Sequence, residues 1–345
     1  MKIKIVSPSG AIDPQYIDRA TEVLRGWGYE VSEAAHARGK VGRFAASDEE
    51  RVADIAEALT DPAVDMILCA RGGYGLQRII DRIPPIHKPI IGFSDITALH
   101  MLAAQTGQAT IHAMMCKGIS ETKGLSPSSC VLDPSSFLQR ALAQEPLHYE
   151  LPAHLLNRLG KTKGTLVGGN LSVLYGLQGT AYGLNERLRI KDKRLNSNDF
   201  KEVRSLGRTR YKDASETKVI RPSSLSPSLC REGWGGSPLI LFIEDVGERH
   251  YHIDRMMNNL RLSGVLANLS GLIVGQFNDC EDDPSMGCTV YETIRHAVEP
   301  YHYPVVFNFP AGHVEENMPL YLNAPVEIDV REDYSSSIHS FFKSS

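Results

Sequence analysis

Short apolar runs that alternate with amphipathic helical patterns restrict the fold of this 345-residue chain more than any other feature. Residues 66–70 form a continuous apolar run of the kind that is buried on both faces of a sheet, and residues 89–91 form another. Before these runs, Asp13-Pro14 and residues 47–50 carry the capping residues that begin helices. Strands alternating with helices predict βαβ units, and therefore a mostly parallel sheet in the first half.

A further series of apolar runs predicts a second domain. The length of the chain also favours two domains over one. Residues 117–134 are rich in Ser, Gly and Pro, which is typical of a connection between domains. We therefore predict an α/β domain at 1–125, a linker region at 126–160 and a C-terminal domain at 161–345. The strands predicted in this last domain are residues 239–243, 272–274, 305–307 and 326–330.

Residues 185–238 differ from the sequence around them. They hold about a third of all basic residues and many serines, and they follow neither a helical nor a strand period. A structureless run of this length is uncommon inside a compact domain. A basic run can contact nucleic acid, but this one lacks the regular interleaving of aromatic residues found in such sites. We therefore interpret it as a surface insertion with a solvated loop character.

The composition is that of an ordinary soluble globular protein, with 42% hydrophobic and 23% charged residues. A net charge of -4 gives no reason to expect nucleic acid or an anionic membrane as a partner. The N-terminus reaches Pro8 and Gly10 without an apolar signal-peptide core, and no segment is apolar enough to span a bilayer. We therefore predict a cytoplasmic protein. The six cysteines form no Cys-x-x-Cys pair, so we expect no zinc site and no disulfide framework.

Ser94 stands at a sharp turn between a strand and a helix. The apolar residues 89–91 stop at Gly92, and an amphipathic helix begins just after Ser94. Such a turn exposes the serine hydroxyl at the tip of a sheet, and the backbone amide of Asp95 points to the same space. A serine alone is a poor nucleophile, so the site also needs a base, a carboxylate that orients the base, and donors for an oxyanion.

Glu244 and His313 are the best candidates for the carboxylate and the base. Glu244 ends the apolar run at 239–243, and His313 follows the run at 305–307 in a turn that contains proline and glycine. Both would lie at the carboxyl ends of strands, where crevices form. The alternatives are that Glu244 caps a helix start and that His313 is an ordinary surface residue. The other histidines that compete for the role are interpreted as structural or rim residues: His100, His112, His250 and His252.

Residues 71–75, with the sequence Arg-Gly-Gly-Tyr-Gly, form a glycine-rich turn directly after a predicted strand. The backbone amides of such a turn either cradle a phosphate or complete an oxyanion hole. A tight turn that merely needs positive φ is the third interpretation. The pattern matches neither the dinucleotide fingerprint nor a P-loop, which weakens the nucleotide interpretation. Beside an exposed serine, the oxyanion role is the more economical one.

The order of these motifs resembles that of the LD-carboxypeptidase family, which are serine peptidases with a Ser-Glu-His triad. The family includes the muramoyltetrapeptide carboxypeptidases and the microcin C immunity peptidases. The resemblance spans nearly the whole chain outside the insertion. The matching motifs are Ser7-Pro8-Ser9-Gly10, Arg43-Phe44-Ala45, residues 70–75, residues 92–97, residues 164–171, Glu244-Asp245-Val246-Gly247-Glu248, Asp254-Arg255-Met256 and Gly312-His313.

The resemblance implies a role for each candidate catalytic residue. Ser94 would be the nucleophile, His313 the general base and then acid, and Glu244 the group that orients the imidazolium. The oxyanion hole would use the backbone amide of Asp95 together with one amide of the glycine turn, from either Gly72 or Gly73.

The resemblance also implies a fold and candidate substrate-binding residues. The fold would be an N-terminal flavodoxin-like parallel sheet domain and a C-terminal mixed α/β domain, with the active site in the interdomain cleft. Arg71 would pair with the free carboxylate that a carboxypeptidase has to recognise, because a guanidinium fork suits that group. Tyr74, from the same turn, is the second candidate for substrate binding.

The implied reaction is hydrolysis of an amide between an L-configured centre and a C-terminal D-amino acid, without a metal or other cofactor. In peptidoglycan recycling this reaction releases D-alanine from a murein tetrapeptide, and family members are commonly homodimers. One alternative is a microcin C-type immunity peptidase with a different acyl-side pocket. Others are a non-catalytic cleft-binding homologue disabled by the insertion at 185–238, and a flavodoxin-like nucleotide binder.

Overall fold

The computed structural model describes residues 1–122, 133–184 and 238–342. Residues 185–237 of the predicted insertion lie outside the described residues. The described strands, in chain order, are β1 (Lys2–Val6), β2 (Glu30–Glu33), β3 (Met66–Cys69), β4 (Ile90–Gly92), β5 (Thr110–His112), β6 (Leu147–Leu151), β7 (Gly160–Asn170), β8 (Leu239–Val246), β9 (Leu269–Asn278), β10 (Val305–Val306), β11 (Leu320–Leu322), β12 (Ala324–Val330) and β13 (Ser336–Ser340).

The α-helices of the described ranges begin where the sequence supplies caps. Before the first helix, the Asp13 side chain accepts a hydrogen bond from the amide of Gln15, and Pro14 opens the first turn. Before the second, Ser47 and Glu50 form a reciprocal capping box. The helices are α1 (Pro14–Gly26), α2 (Asp48–Thr60), α3 (Thr97–Ala103), α4 (Cys116–Glu121), α5 (Pro134–Leu142), α6 (Leu171–Leu177), α7 (His250–Leu262) and α8 (Val290–Ala297).

The first sheet has the strand order β11-β5-β4-β3-β1-β2. The five strands from the first half are all parallel, as the alternating pattern predicts. β3 and β4 are buried along their whole length, which explains why they are continuous apolar runs. β11 comes from the other end of the chain and pairs antiparallel with β5.

The second sheet is mixed, with the order β10-β9-β8-β7-β12-β13-β6. β7, β8, β9 and β10 are parallel, whereas β12, β13 and β6 pair antiparallel. The four strands predicted in the C-terminal half correspond to β8, β9, β10 and β12, and β10 ends one residue before the predicted end at residue 307. The prediction of a two-domain α/β fold is thus confirmed, and the antiparallel strand β11 makes the first sheet mixed as well. The predicted linker region 126–160 contains α5 and β6, and the domain boundaries stay a prediction.

The two sheets meet where α3 packs against the end of β7. The amide of Asn170, the last residue of β7, donates to the Thr97 hydroxyl at 2.9 Å. A Cβ on Gly169 would lie 2.5 Å from that same hydroxyl oxygen, so this approach requires glycine. Because α3 directly follows the Ser94 turn, this contact fixes the turn relative to the second sheet.

Among the residues that the structure describes, no helix is long and apolar enough to cross a bilayer.

Candidate active site

Ser94 lies in the turn between β4 and α3 with a positive φ of 65°. This left-handed conformation costs a non-glycine residue about 1–2 kcal/mol. Ser94 begins a single turn of 3-10 helix, Ser94–Ile96, and it is partly exposed. The first amides of such a turn have no partner within it, which leaves the amide of Asp95 available to another acceptor. Ser94 thus lies in a sharp turn between a strand and a helix, in a backbone conformation that is strained for a non-glycine residue.

The glycine turn after β3 touches Ser94 directly. A Cβ on Gly72 would lie 2.8 Å from the Ser94 Cβ and 3.1 Å from its Oγ, so no side chain fits at residue 72. Gly73 follows with a φ of 106°, which also favours glycine. The carbonyl of Gly72 accepts a hydrogen bond from the amide of Gly10 at 3.0 Å. The backbone of this turn is therefore fixed close to the Ser94 side chain.

The side chain of Asp95 connects the two turns. One of its carboxylate oxygens accepts a hydrogen bond from the Ser9 hydroxyl at 2.6 Å and another from the Leu76 amide at 3.0 Å. Leu76 comes directly after the glycine turn, so this carboxylate ties that turn to the one that bears Ser94. Burial raises the pKa of the Asp95 carboxyl, while both hydrogen bonds oppose the shift. The sequence suggested a use for the amide of Asp95 but not for its side chain.

Glu244 and His313 form a hydrogen-bonded pair. Glu244 lies near the end of β8 with no exposed surface, and its Oε2 is 2.8 Å from Nδ1 of His313. A carboxylate only accepts hydrogen bonds, so Nδ1 of His313 is the donor and Nε2 is left for another partner. Gly312 makes this approach possible, because a Cβ there would lie 3.0 Å from Oε2 of Glu244. The amide of Gly312 donates in turn to Asn317 Oδ1 at 2.9 Å.

Phe93 brings His313 next to the serine turn. The rings of Phe93 and His313 pack edge to face with centroids 4.9 Å apart, and Phe93 directly precedes Ser94. Within the described part of the chain, no hydrogen bond joins His313 to Ser94. The structure therefore pairs Glu244 with His313 and places that pair beside the serine, but it leaves the last contact open. Catalytic hydrogen bonds are often long or poorly aligned in an unliganded site.

The other candidate histidines have different surroundings. His100 and His112 are buried, and burial lowers the pKa of His100 to about 4 and that of His112 well below its usual value. His250 Nε2 lies 2.7 Å from the Thr293 hydroxyl, and His252 Nδ1 lies 2.8 Å from a carboxylate of Glu248. None of these partners is Ser94. Within the described ranges, no group of three or more His, Cys, Asp or Glu side chains could hold a metal ion.

Arg71 and Tyr74 are exposed at the rim of the glycine turn. Arg71 donates to the carbonyl of Ala11 at 2.6 Å, which fixes its guanidinium beside the loop after β1. Tyr74 is 44% exposed, and the Arg43 guanidinium carbon lies 5.4 Å from its ring centroid. Both residues line an open pocket of about 710 Å³. Among the described residues, no hydrogen bond joins Arg71 or Tyr74 to Ser94.

Asp245 is a buried residue of the site region whose part the sequence did not indicate. Its carboxylate accepts hydrogen bonds from Asn170 Nδ2 at 2.9 Å and from the Ser172 amide at 2.8 Å. Burial, and next the charge of Glu244, raises the pKa of Asp245 to about 7. Asp245 thus joins the end of β8 to the start of α6. The motifs at residues 164–171 and 244–248 were the only signals in the sequence, and neither indicates that the two motifs are in contact.

Two family models match the chain. The model described as LD-carboxypeptidase N-terminal domain matches residues 3–113, and the one described as LD-carboxypeptidase C-terminal domain matches residues 229–328. The chain is 29% identical to a putative carboxypeptidase of Streptomyces coelicolor, over 95% of this chain and 90% of the relative. It is 26% identical to a probable murein peptide carboxypeptidase of Bacillus subtilis, over 96% of this chain and 89% of the relative.

Solved structures share the fold at lower sequence identity. The muramoyltetrapeptide carboxypeptidase of Oxalobacter formigenes superposes with a TM-score of 0.74 at 23% identity, covering 99% of both chains. The microcin C7 self immunity protein MccF, in complex with glutamyl sulfamoyl guanosine, superposes with a TM-score of 0.72 at 18% identity, covering 99% of this chain and 96% of that one. At these sequence identities the superpositions show a shared fold of two α/β domains.

Proposed function

The chain belongs to the LD-carboxypeptidase family, and on that premise we propose that it is a metal-independent serine carboxypeptidase with a Ser94-Glu244-His313 triad. Its substrate would be a peptide that ends in an L,D amide bond to a D-amino acid. A murein tetrapeptide, from which it releases D-alanine during peptidoglycan recycling, fits the names of the relative in Bacillus subtilis and of the structural neighbour in Oxalobacter formigenes.

One observation carries the proposal: the 2.8 Å pair of Glu244 and His313 lies beside the turn that exposes Ser94. The three residues are far apart in the sequence and come from both sheets. A carboxylate, an imidazole and a serine held at strand ends are the parts that nucleophilic acyl transfer needs. The bond from Nδ1 to Glu244 leaves Nε2 of His313 to accept a proton from the serine.

In the first half of the proposed reaction, Ser94 Oγ attacks the carbonyl carbon while His313 Nε2 takes the hydroxyl proton. Glu244 stabilises the imidazolium that forms. The carbonyl oxygen gains negative charge in the tetrahedral intermediate and accepts hydrogen bonds from the amide of Asp95 and one amide of the glycine turn, Gly72 or Gly73. His313 then donates its proton to the nitrogen of the D-amino acid as the C–N bond breaks, which leaves an acyl-enzyme on Ser94.

The second half repeats these roles with water. His313 takes a proton from a water molecule while the water oxygen attacks the acyl carbon. His313 then returns that proton to Ser94 Oγ when the ester bond breaks. For both halves, Nε2 of His313 has to come within hydrogen-bond reach of Ser94 Oγ. We propose that this last hydrogen bond forms when substrate binds in the cleft between the two domains. The substrate excludes water there, which strengthens the hydrogen bond.

Arg71 is the residue that we propose for the free carboxylate of the terminal D-amino acid, with Tyr74 beside it. Its guanidinium is exposed, and its bond to the Ala11 carbonyl uses one of five donors. We further propose a cytoplasmic homodimer, with domains at 1–125 and 161–345 joined by the region 126–160, as the setting of this activity.

The second candidate function is that of a microcin C-type immunity peptidase. The observation that favours it is the superposition on MccF in complex with glutamyl sulfamoyl guanosine, with a TM-score of 0.72. The triad would be the same, and the acyl-side pocket would accept an aminoacyl nucleotide.

The experiment is a comparison of substrates with the purified chain. A free murein tetrapeptide and glutamyl sulfamoyl guanosine are incubated side by side, and released D-alanine and glutamate are detected by mass spectrometry. Release of D-alanine by the wild type but not by Ser94→Ala supports the proposal. Release of glutamate alone supports the immunity peptidase, and no release from either substrate refutes both.

A further inference from the structure

The pocket beside the glycine turn lies close to the proposed nucleophile. It has a volume of about 710 Å³, and Gly73 and Tyr74 form part of its wall. Gly72, the residue before Gly73, is the one that touches Ser94. Since successive Cα atoms are about 3.8 Å apart, the pocket begins within a few bonds of the place where the reacting carbonyl would lie.

The wall of this pocket is strongly basic. Arg38 is neutralised there, because it donates to both carboxylate oxygens of Glu33, at 2.6 and 2.9 Å, and also pairs with Asp18. The other cations line the pocket without a carboxylate partner among the described residues. They are Lys40, Arg43 and Arg71.

Asp13, the acidic residue among the described residues of the wall, forms no ion pair with these cations. Asp13 caps α1, and its two oxygens accept hydrogen bonds from the amide and the side-chain nitrogen of Gln15, at 3.0 and 2.6 Å. Two of the basic side chains that form no ion pair are held in place by uncharged groups. Arg71 donates to the Ala11 carbonyl at 2.6 Å, and Arg43 stacks over Tyr74 at 5.4 Å. The guanidinium groups of Arg71 and Arg43 are therefore held in place, and neither forms an ion pair with a carboxylate of the described residues.

The volume and the charge together describe the ligand. Sites for small molecules occupy about 300–1,000 Å³, so this pocket is larger than a single terminal carboxylate requires. Three cations without acidic partners favour a ligand that carries more than one oxyanion. We propose that Lys40 and Arg43, next to Arg71, form an anion subsite that binds a second anionic group of the substrate, away from the terminal carboxylate.

This inference rests on the proposed function, because it assigns the group to the substrate of the same site. The anionic group is a carboxylate if the substrate is a peptide and a phosphate if it is an aminoacyl nucleotide. Guanidinium and ammonium groups bind both. The variants Lys40→Met and Arg43→Gln test the subsite, since both residues are exposed and their loss leaves no buried group without a partner.

Binding is measured by calorimetry in a Ser94→Ala background, in which the proposed nucleophile is absent and ligands stay intact. The ligands are a murein tetrapeptide with all carboxylates free, a set in which one internal carboxylate at a time is converted to the amide, and adenosine monophosphate. Arg82→Gln is the matched control, because Arg82 is an exposed cation paired with Glu49 and does not line the pocket.

Each variant is expected to weaken binding of the free tetrapeptide about fivefold, as for an exposed charge pair, with no effect of the Arg82→Gln control. For the tetrapeptide in which the recognised carboxylate has been converted to the amide, the variants should bind as tightly as the parent protein. If instead only adenosine monophosphate binds more weakly, the subsite serves a phosphate. An equal loss for all ligands, or no loss for any, overturns the subsite.

The two proposals fail separately. If the wild type releases no D-alanine but the variants still show an anion-dependent loss of binding, the proposed reaction is wrong and the subsite stands. If D-alanine is released and the variants bind every ligand like the parent, the reaction stands and the subsite is wrong.

Discussion

Gly72 shows at the scale of one residue how closely the glycine turn and Ser94 fit. A methyl group at residue 72 would lie 2.8 Å from the Ser94 Cβ, closer than carbon atoms approach without displacement. The sequence predicted a glycine-rich turn near the serine but left three interpretations open. The contact itself depends on the meeting of two strand ends, which no local pattern contains.

Gly72→Ala is expected to reduce kcat for D-alanine release at least 100-fold, because the turn has to move away from Ser94 and the oxyanion donor moves with it. The measurement is steady-state kinetics on the tetrapeptide, with the thermal unfolding midpoint as a check of folding. Gly26→Ala is the matched control, since a Cβ there meets nothing within 4 Å. Equal kinetics for Gly72→Ala and Gly26→Ala would refute the role of this contact.

At the scale of structural elements, the strands were the part of the fold that the sequence predicted best. β3 and β4 are short apolar runs buried on both faces, so their composition alone identifies them. α5 and β6 were missed because the Ser-, Gly- and Pro-rich residues before them dominate the pattern. The connection of two turns by the Asp95 side chain was missed as well, since its partners Ser9 and Leu76 are close to it only in the fold.

Asp95→Ala is expected to lower kcat about tenfold or more and to reduce the free energy of unfolding by about 1–3 kcal/mol. It leaves the Ser9 hydroxyl and the Leu76 amide without their acceptor, so the glycine turn loses its tie to the Ser94 turn. Asp95→Asn keeps one carbonyl oxygen as acceptor and should recover most of kcat. A purely structural role would predict lost stability with an unchanged kcat per folded molecule, which kinetics and urea unfolding distinguish.

Asp245, at the joint of β8 and α6, predicts a pH dependence of stability. Its pKa rises from 3.8 to about 7 on folding, so between these values the folded protein holds a proton that the unfolded chain has lost. The free energy of unfolding should therefore fall as pH rises through this window, by up to about 1.4 kcal/mol per pH unit, and level off above it. In Asp245→Asn this contribution disappears.

Urea unfolding of both proteins at several values between pH 4 and pH 8 measures this difference. The variant is expected to be less stable at low pH, because an amide replaces one of the two oxygens that accept hydrogen bonds there. The difference between the two proteins should shrink as pH rises. Parallel curves for the wild type and Asp245→Asn would show that the carboxyl does not titrate in this window.

At the scale of the whole molecule, the site depends on how the two sheets are joined. Ser94 follows β4 of the first sheet, while Glu244 belongs to β8 of the second. The sequence predicted both domains. It did not predict that β11, from the C-terminal half of the chain, joins the first sheet. A strand of three residues, paired with a partner from the other half of the chain, carries too little local pattern to assign.

Thr97→Val tests the contact between the sheets. The variant keeps the shape of the side chain but removes the oxygen that accepts the Asn170 amide. We expect a loss of about 1–3 kcal/mol in the free energy of unfolding and a lower kcat. Thr21→Val is the control, because the Thr21 hydroxyl is buried without a partner in the described part of the chain, and its removal should be neutral or stabilising. Equal effects of the two substitutions would contradict the expectation.

The central claim is that Ser94, His313 and Glu244 act as one catalytic unit. The most direct measurement is the rate at which a serine-directed phosphonylating probe labels the protein, with the labelled residue located by mass spectrometry. We expect one adduct, on Ser94 in the wild type, and labelling at least 100-fold slower in His313→Ala and Glu244→Gln. Labelling on another residue, or labelling of Ser94 at the wild-type rate without His313, would contradict the account.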